Sequence, residues 1–138
     1  MDIKNYKTVI VTGTIGNNAS SFNATIDLSF QPDEVILRNV TIADNDADNA
    51  DDIILFNTDM FYPNPFYHYG GILNDDGTNT QYGYRYNAEP NLKYQISKQI
   101  RGEFKFWVTQ ISNAVPTNIA GFDMVITFTF EFVEYHKK

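Results

Sequence analysis

The side chains best suited to chemistry in this sequence are its two histidines and its clustered carboxylates. His68 and His136 stand far apart, and no H-E-x-x-H, G-x-S-x-G or G-x-x-x-x-G-K-[ST] spacing occurs. The adjacent pairs Asp51-Asp52 and Asp75-Asp76 are typical of solvated turns. A β-sandwich hydrolase would need two carboxyl groups converging about 5 to 10 Å apart across a cleft. We predict that the protein is not an enzyme, with no catalytic residue and no cofactor.

An acidic segment at positions 44–52 has the alternating carboxylates of a calcium loop. Its candidate ligands are Asp44, Asp46 and Asp48. An EF-type loop requires Gly at its sixth position and Glu at its twelfth, where this chain has Asn49 and Leu55. We therefore predict no dedicated metal site and interpret the segment as a solvated connection, with adventitious cation binding as the alternative.

Aromatic residues are concentrated at positions 61–71 and 82–86. The candidate contact residues are Tyr62, Phe66, Tyr67, Tyr69, Tyr82, Tyr84 and Tyr86. Such rings can stack on sugars or bury the apolar anchor of a partner. They can equally cap one open end of a β-sandwich, and the sequence leaves both interpretations open.

The charge of the chain excludes some partners. The formal net charge is −7, and the only basic cluster is Lys137-Lys138 at the C-terminus. Phosphate backbones and anionic lipid surfaces both attract basic clusters, so we predict no nucleic-acid or membrane partner. There is no cysteine, and neither a signal peptide nor a run of about 18 apolar residues is visible. We expect synthesis in a cytoplasm without signal-peptide secretion.

The clearest structural signal is strict alternation near the C-terminus. The even positions carry the apolar residues Phe122, Met124, Ile126, Phe128, Phe130 and Phe132. Only an extended strand places all of these on one face. The segment 103–109 repeats the pattern with Phe104, Phe106 and Val108 facing inward, and turn residues at 112–118 favour an antiparallel connection between the two strands.

Further strand patterns occupy the rest of the chain. They lie at 8–12, 22–30, 35–42, 53–56, 82–86 and 92–96, with no convincing helical stripe. About eight strands with turn signals roughly every ten residues indicate an all-β, two-sheet antiparallel jelly-roll sandwich. We predict one domain over residues 1–138. An up-and-down barrel remains the alternative, since periodicity does not give strand order.

Two stretches resemble a known family. The first runs from Phe30 to Val40, contains an F-x-P-D-E-V-x-x-R pattern, and is followed by the run from Ile53 to Asn57. The second is the closing run from Gly121 to Tyr135. These stretches resemble the single jelly-roll virion proteins of virophages and large double-stranded DNA viruses. The resemblance covers about a third of the chain, and its motifs are structural rather than catalytic.

The resemblance implies a capsid-associated role as a minor capsid, vertex or spike-head protein located in the virion. Proteins of this family usually assemble as trimers or pentamers, so the implied partners are further copies of the chain and other virion proteins. We therefore expect a non-enzymatic structural protein that acts by self-association and loop contacts. The alternative is a carbohydrate- or receptor-binding module that uses the aromatic segment, and a spike head for host attachment would combine both roles.

Overall fold

The fold was determined as a computed structural model that describes residues 2–15, 20–44, 54–61, 66–69, 82–96, 98–110, 113–116 and 124–137. These ranges contain nine strands and no helix. The strands are β1 (Ile3–Ile15), β2 (Ser21–Asp27), β3 (Glu34–Asp44), β4 (Ile54–Thr58), β5 (Tyr67–Tyr69), β6 (Tyr82–Gln95), β7 (Arg101–Gln110), β8 (Asn113–Pro116) and β9 (Met124–Tyr135). The described residues accordingly include no helix that could cross a membrane.

The strands form two antiparallel sheets. The first sheet has the order β1-β9-β3-β6, and the second has the order β2-β7-β4-β5 with β8 paired to β7. Four antiparallel pairs link early strands to late ones: β1·β9, β2·β7, β3·β6 and β4·β5. These are the strand pairs of the jelly-roll connectivity. The predicted two-sheet jelly-roll sandwich is therefore confirmed, with nine described strands where about eight were expected.

The core lies between the two sheets, and β9 supplies its centre. Ile126, Phe128, Phe130 and Phe132 are all fully buried, as the alternation predicts. From the second sheet, Phe106 faces them, with its ring centroid 5.9 Å from that of Phe128. Stacked and edge-on aromatic pairs of this kind add to the stabilisation that burial alone provides.

A close approach between the sheets occurs at Gly13 of β1. A Cβ atom added there would lie 2.1 Å from Cγ of Phe22 in β2, so the ring occupies the space a side chain would need. Phe22 in turn stacks on Phe106, with a centroid distance of 5.3 Å and an interplanar angle of 8°. Only glycine at position 13 lets the first two strands of the chain pack this closely.

Several predicted details differ from the structure. Strands β7 and β9 are not paired neighbours, because they lie in opposite sheets and the short strand β8 forms within the predicted turn. The two strands predicted at 82–86 and 92–96 are one strand, β6, and the aromatic segment contains β5. The first strand begins at Ile3, well before the β-branched run that predicted it.

Candidate functional site

The aromatic segment contributes one ring to the core. Phe66 is only 5% exposed, and its centroid lies 5.2 Å from that of Phe128 in an edge-on arrangement. Its backbone is fixed on both sides, because its N–H donates to the carbonyl of Phe56 over 2.9 Å and its carbonyl accepts the hydroxyl of Tyr94. Phe66 therefore caps the core, and its ring is not available to an external partner.

The tyrosines of the predicted contact set are distributed over both sheets. Tyr67 and Tyr69 belong to β5 in the second sheet, whereas Tyr82, Tyr84 and Tyr86 belong to the edge strand β6 of the first. The structure describes only the backbone of these five residues, and Tyr62 lies outside the described ranges. The contact surface therefore remains a prediction.

The structure describes one of the three candidate cation ligands. Asp44 is the last residue of β3, whereas Asp46 and Asp48 lie outside the described ranges. No group of three or more potential ligands converges among the described residues. The histidines take separate positions: His68 is in β5, and His136 follows β9, where its backbone N–H donates to the carbonyl of Asp2.

A polar cluster that sequence reasoning did not anticipate joins the start of β3 to the end of β9. We call it the clasp, and it consists of Asp33, Glu34, Arg38, Glu131, Tyr135 and Lys137. The first three residues belong to the F-x-P-D-E-V-x-x-R segment, and the last three lie in or directly after the closing strand. The two family-like segments are thus direct structural partners.

Asp33 is the centre of the clasp. Its carboxylate accepts the backbone N–H of Tyr135 over 2.8 Å and the ammonium group of Lys137. Its own N–H donates to the carbonyl of Val133 over 2.8 Å, and its carbonyl accepts the N–H of Ile96 over 3.0 Å. The hydrogen bond from Lys137, followed by that from Tyr135, lowers the pKa of Asp33. One residue thereby ties β3 both to β9 and to the end of β6.

The rest of the clasp consists of one hydrogen bond from a hydroxyl to a carboxylate and one ion pair. Tyr135 donates its hydroxyl to the carboxylate of Glu34, which is 8% exposed, and this bond, with burial second, raises the pKa of Tyr135 to about 12. Arg38 Nε donates to Glu131 Oε2 over 2.8 Å, and this bond raises the pKa of Arg38. The latter pair is partly exposed, so it contributes little stability by itself. Because these groups satisfy one another, the clasp acts as a structural fastening.

A second surface of interest is the face of the first sheet that points away from the core, which we call the outer face. The large hydrophobic residues that the described chain exposes most are Ile3, Tyr6, Ile10 and Val125. Register places Tyr6, Ile10 and Val125 on this face, since the alternate residues of β1 and β9 are core residues. Ile3 precedes the register shift in β1 and pairs with Tyr135, which has the same parity in β9 as Val125, so it lies on this face as well. Thr8, Thr12, Thr14, Thr127 and Thr129 occupy the positions between them.

Sequence reasoning missed the outer face for a physical reason. The run Thr8-Val9-Ile10-Val11-Thr12 is apolar at both parities, so alternation does not reveal which residues face the core. In the structure Val11 is buried and Ile10 is 66% exposed. The available signal was the uninterrupted apolar run itself, because a strand with one solvated face normally alternates.

A crevice between the connections 28–31 and 99–101 offers little chemistry. Its lining includes Ser29, Gln31, Gln99 and Arg101. The guanidinium Nε of Arg101 already donates to the carbonyl of Leu28 over 3.3 Å. No carboxylate lines this crevice, so it does not provide the acid pair that a hydrolase would require.

Comparison with known proteins gives remote structural likenesses. No protein-family model matches the chain, and neither does any curated protein sequence. The chain is similar to a structure of the cyanophage Pam1 capsid asymmetric unit, with 14% identity, a TM-score of 0.40, and coverage of 95% of this chain and 88% of that one. It also matches a structure of Mud crab tombus-like virus, with 9% identity, a TM-score of 0.22, and coverage of 100% and 86%. At these values neither likeness assigns a function.

Proposed function

We propose that this protein is a non-enzymatic structural component of a virus particle that works by self-association and by contacts from its loops. The observation that carries the proposal is the clasp, in which the two segments resembling virion proteins hold each other within a jelly roll. Asp33 and Glu34 at the start of β3 bind Tyr135 at the end of β9. A fold shared by many functions does not suffice by itself. Here the sequence resemblance and the internal contacts of the resembling segments agree.

The outer face supports the self-association part of the proposal. Copies that each carry a net charge of −7 repel one another, so a contact between them is favoured where charge is lacking. Between Thr8 and Thr14 of β1, and between Val125 and Thr129 of β9, no residue is charged. Ile10 adds apolar surface within this uncharged segment, at 66% exposure, and Tyr6, at 65% exposure, lies two residues before it on the same face.

The finer proposal is a minor capsid, vertex or spike-head protein of a virophage or a large double-stranded DNA virus. Its partners are further copies of itself, as a trimer or pentamer, and other virion proteins. It is made in the host cytoplasm and then incorporated into the virion. The sequence resemblance suggests the role, the partners and the virion location.

Sedimentation velocity over about 1 to 100 μM protein tests the proposal, since contacts of useful affinity populate the oligomer in this range. We expect a trimer or pentamer, with rings visible by negative-stain electron microscopy. Addition of salt is expected to strengthen association by screening the repulsion between acidic copies. A monomer at every concentration and salt level contradicts the proposed function.

The glycan-binding alternative depends on the tyrosines of the contact set, because the ring of Phe66 is buried in the core. It predicts binding on a glycan array that weakens when Tyr67, Tyr69 or Tyr84 is replaced by Ala. A matched control is Tyr6→Ala, which removes an exposed tyrosine from the outer face instead. A blank array with folded protein removes this alternative and leaves the structural role intact.

A further inference from the structure

Strand β1 is an edge of the first sheet. The hydrogen bonds of its neighbour β9 show which residues of β1 direct their backbone N–H and C=O groups away from the sheet. In β9 the carbonyl of Val133 accepts from Asp33 and the N–H of Tyr135 donates to Asp33, so odd residues of β9 direct their backbone groups toward β3. Even residues of β9 therefore bond to β1, whose odd residues are their register partners. The even residues of β1 accordingly point their N–H and C=O groups away from β9, toward the edge. These residues are Tyr6, Thr8, Ile10, Thr12 and Thr14.

Among the edge strands in the described part of the chain, β1 has the longest run without charge or proline. Strand β5 has three residues and β2 has seven, ending in Asp27. Strand β6 is long but carries Arg85, Glu89, Pro90 and Lys93. Charges, proline, shortness and bulges are the usual devices against edge pairing. In β1 the lysines and the register shift occur before Thr8, and the remaining eight residues have neither charge nor proline.

We infer that β1 pairs antiparallel with β1 of a second copy across a two-fold axis, joining two first sheets into one continuous sheet. The strand is self-complementary in a register centred on Ile10. Ile10 then faces Ile10 of the other copy, Thr8 faces Thr12, and Tyr6 faces Thr14. Cross-strand pairs of these types are favourable, and no like charges are opposed because Lys7 meets Gly13. The edge-facing backbone groups of all five even residues find partners.

Charge complementarity favours a second copy over an unrelated strand. The N-terminal half of β1 carries Lys4 and Lys7. Antiparallel pairing places that half beside the other end of the partner's sheet, where Ile15 is in register with Met124 and Met124 with Asp44. The two-fold pairing thus sets Lys4 and Lys7 of each copy toward the end of the other copy's first sheet where β3 ends in Asp44, and it opposes no like charges along β1.

The two-fold contact has a defined place in the proposed function, on whose self-association it rests. A trimer or pentamer closes on itself through one cyclic interface, and joining such rings into a shell needs a second type of contact. An isologous contact through β1 closes at two copies and does not propagate into fibres. It therefore supplies a ring-to-ring link without the aggregation that an open edge would otherwise promote.

Charge substitutions at the two-fold axis test the inference directly. Ile10→Lys and Ile10→Glu each place two like charges opposite one another, and each should weaken the two-fold contact roughly fivefold or more in sedimentation equilibrium. An equimolar mixture of the two variants should recover association, because lysine then faces glutamate. Ile10→Pro removes an edge-facing N–H that does not bond to β9, so it should prevent pairing while the domain stays folded. Thr25→Lys, on the edge strand of the other sheet, is the matched control.

The outcomes separate this inference from the proposed function. Loss of the two-fold species in the single variants and its return in the mixture support the inference. A second outcome is that wild-type rings form and that Ile10→Lys and Ile10→Glu associate as strongly as Thr25→Lys. This outcome overturns the β1 contact and leaves the structural role standing. A wild-type protein that is monomeric throughout overturns both. Circular dichroism melts on each variant verify that the compared proteins are folded.

Discussion

Replacing Gly13 by alanine has two opposing effects on the free energy of unfolding. The larger effect decides whether the protein becomes more or less stable. In an open strand, Gly→Ala stabilises a protein by about 0.4 to 1 kcal/mol, because the unfolded chain loses conformational freedom. Here the new Cβ would lie 2.1 to 2.4 Å from three atoms of the Phe22 ring. Ordinary carbon contacts are about 3.5 to 4.0 Å, so the ring must retreat by more than about 1 Å. That movement disrupts its stack on Phe106.

We therefore expect Gly13→Ala to lower the free energy of unfolding by about 1 to 3 kcal/mol, the usual cost of overpacking a core. Urea denaturation, with the slope m fitted together with the midpoint, measures this change. The decisive comparison is the same substitution in a Phe22→Ala background, where the ring is gone. There Gly13→Ala should be neutral or slightly stabilising, and the difference between the two backgrounds is the coupling energy.

A second glycine supplies the matched control. Gly102 has a φ of +106° with open space around its Cα, so Gly102→Ala is strained by its backbone and not by a neighbour. Its cost, about 1 kcal/mol or more, should be the same with and without Phe22. A Gly13→Ala penalty that persists in the Phe22→Ala background would refute the close approach, as would a neutral Gly13→Ala in the wild-type background.

Three further predictions concern the core and the clasp. Phe128→Ala should cost about 3 to 5 kcal/mol in the same urea assay, because its ring is fully buried, and a change near zero would mean that the wrong face of β9 is inside. The lowered pKa of Asp33 stabilises the fold above the usual aspartate range, so stability should fall as pH drops through that lower pKa, and Asp33→Asn should flatten this acid limb of the pH–stability curve. In an ultraviolet titration one tyrosine, Tyr135, should ionise near pH 12; Glu34→Gln should move that step toward the ordinary value, and an unchanged titration would rule out the Glu34 hydrogen bond as its cause.

The sequence predicts a strand and its core-facing residues correctly where only one face of the strand is apolar. Phe128, Phe130 and Phe132 alternate with polar residues, and the structure buries all three. Phe104 and Phe106 were identified in the same way. Val133 marks the limit of this logic, because it has the opposite parity and is nevertheless buried. Parity assigns a face of the sheet, whereas burial also depends on what covers that face.

The pairing between strands could not be predicted from the sequence, because periodicity carries no information about strand order. The turn residues at 112–118 favoured a connection between adjacent strands, but the chain crosses there from one sheet to the other. The clasp was also hidden, since Asp33 and Tyr135 are 102 positions apart. Their family-like segments were recognised separately, and only the register of β3 against β9 shows that they meet.

The place of β9 within its sheet has a consequence for how the protein is made. Strand β9 follows the other eight described strands along the chain, yet it lies between β1 and β3 in the first sheet. Until β9 has been synthesised, β1 lacks its partner in the sheet, and closing the sheet then requires contact between strands far apart in the chain, which slows folding. The nascent chain therefore carries β1 without its sheet partner until β9 has been made, and deletion of Met124–Tyr135 would remove the strand that joins β1 to the rest of the first sheet.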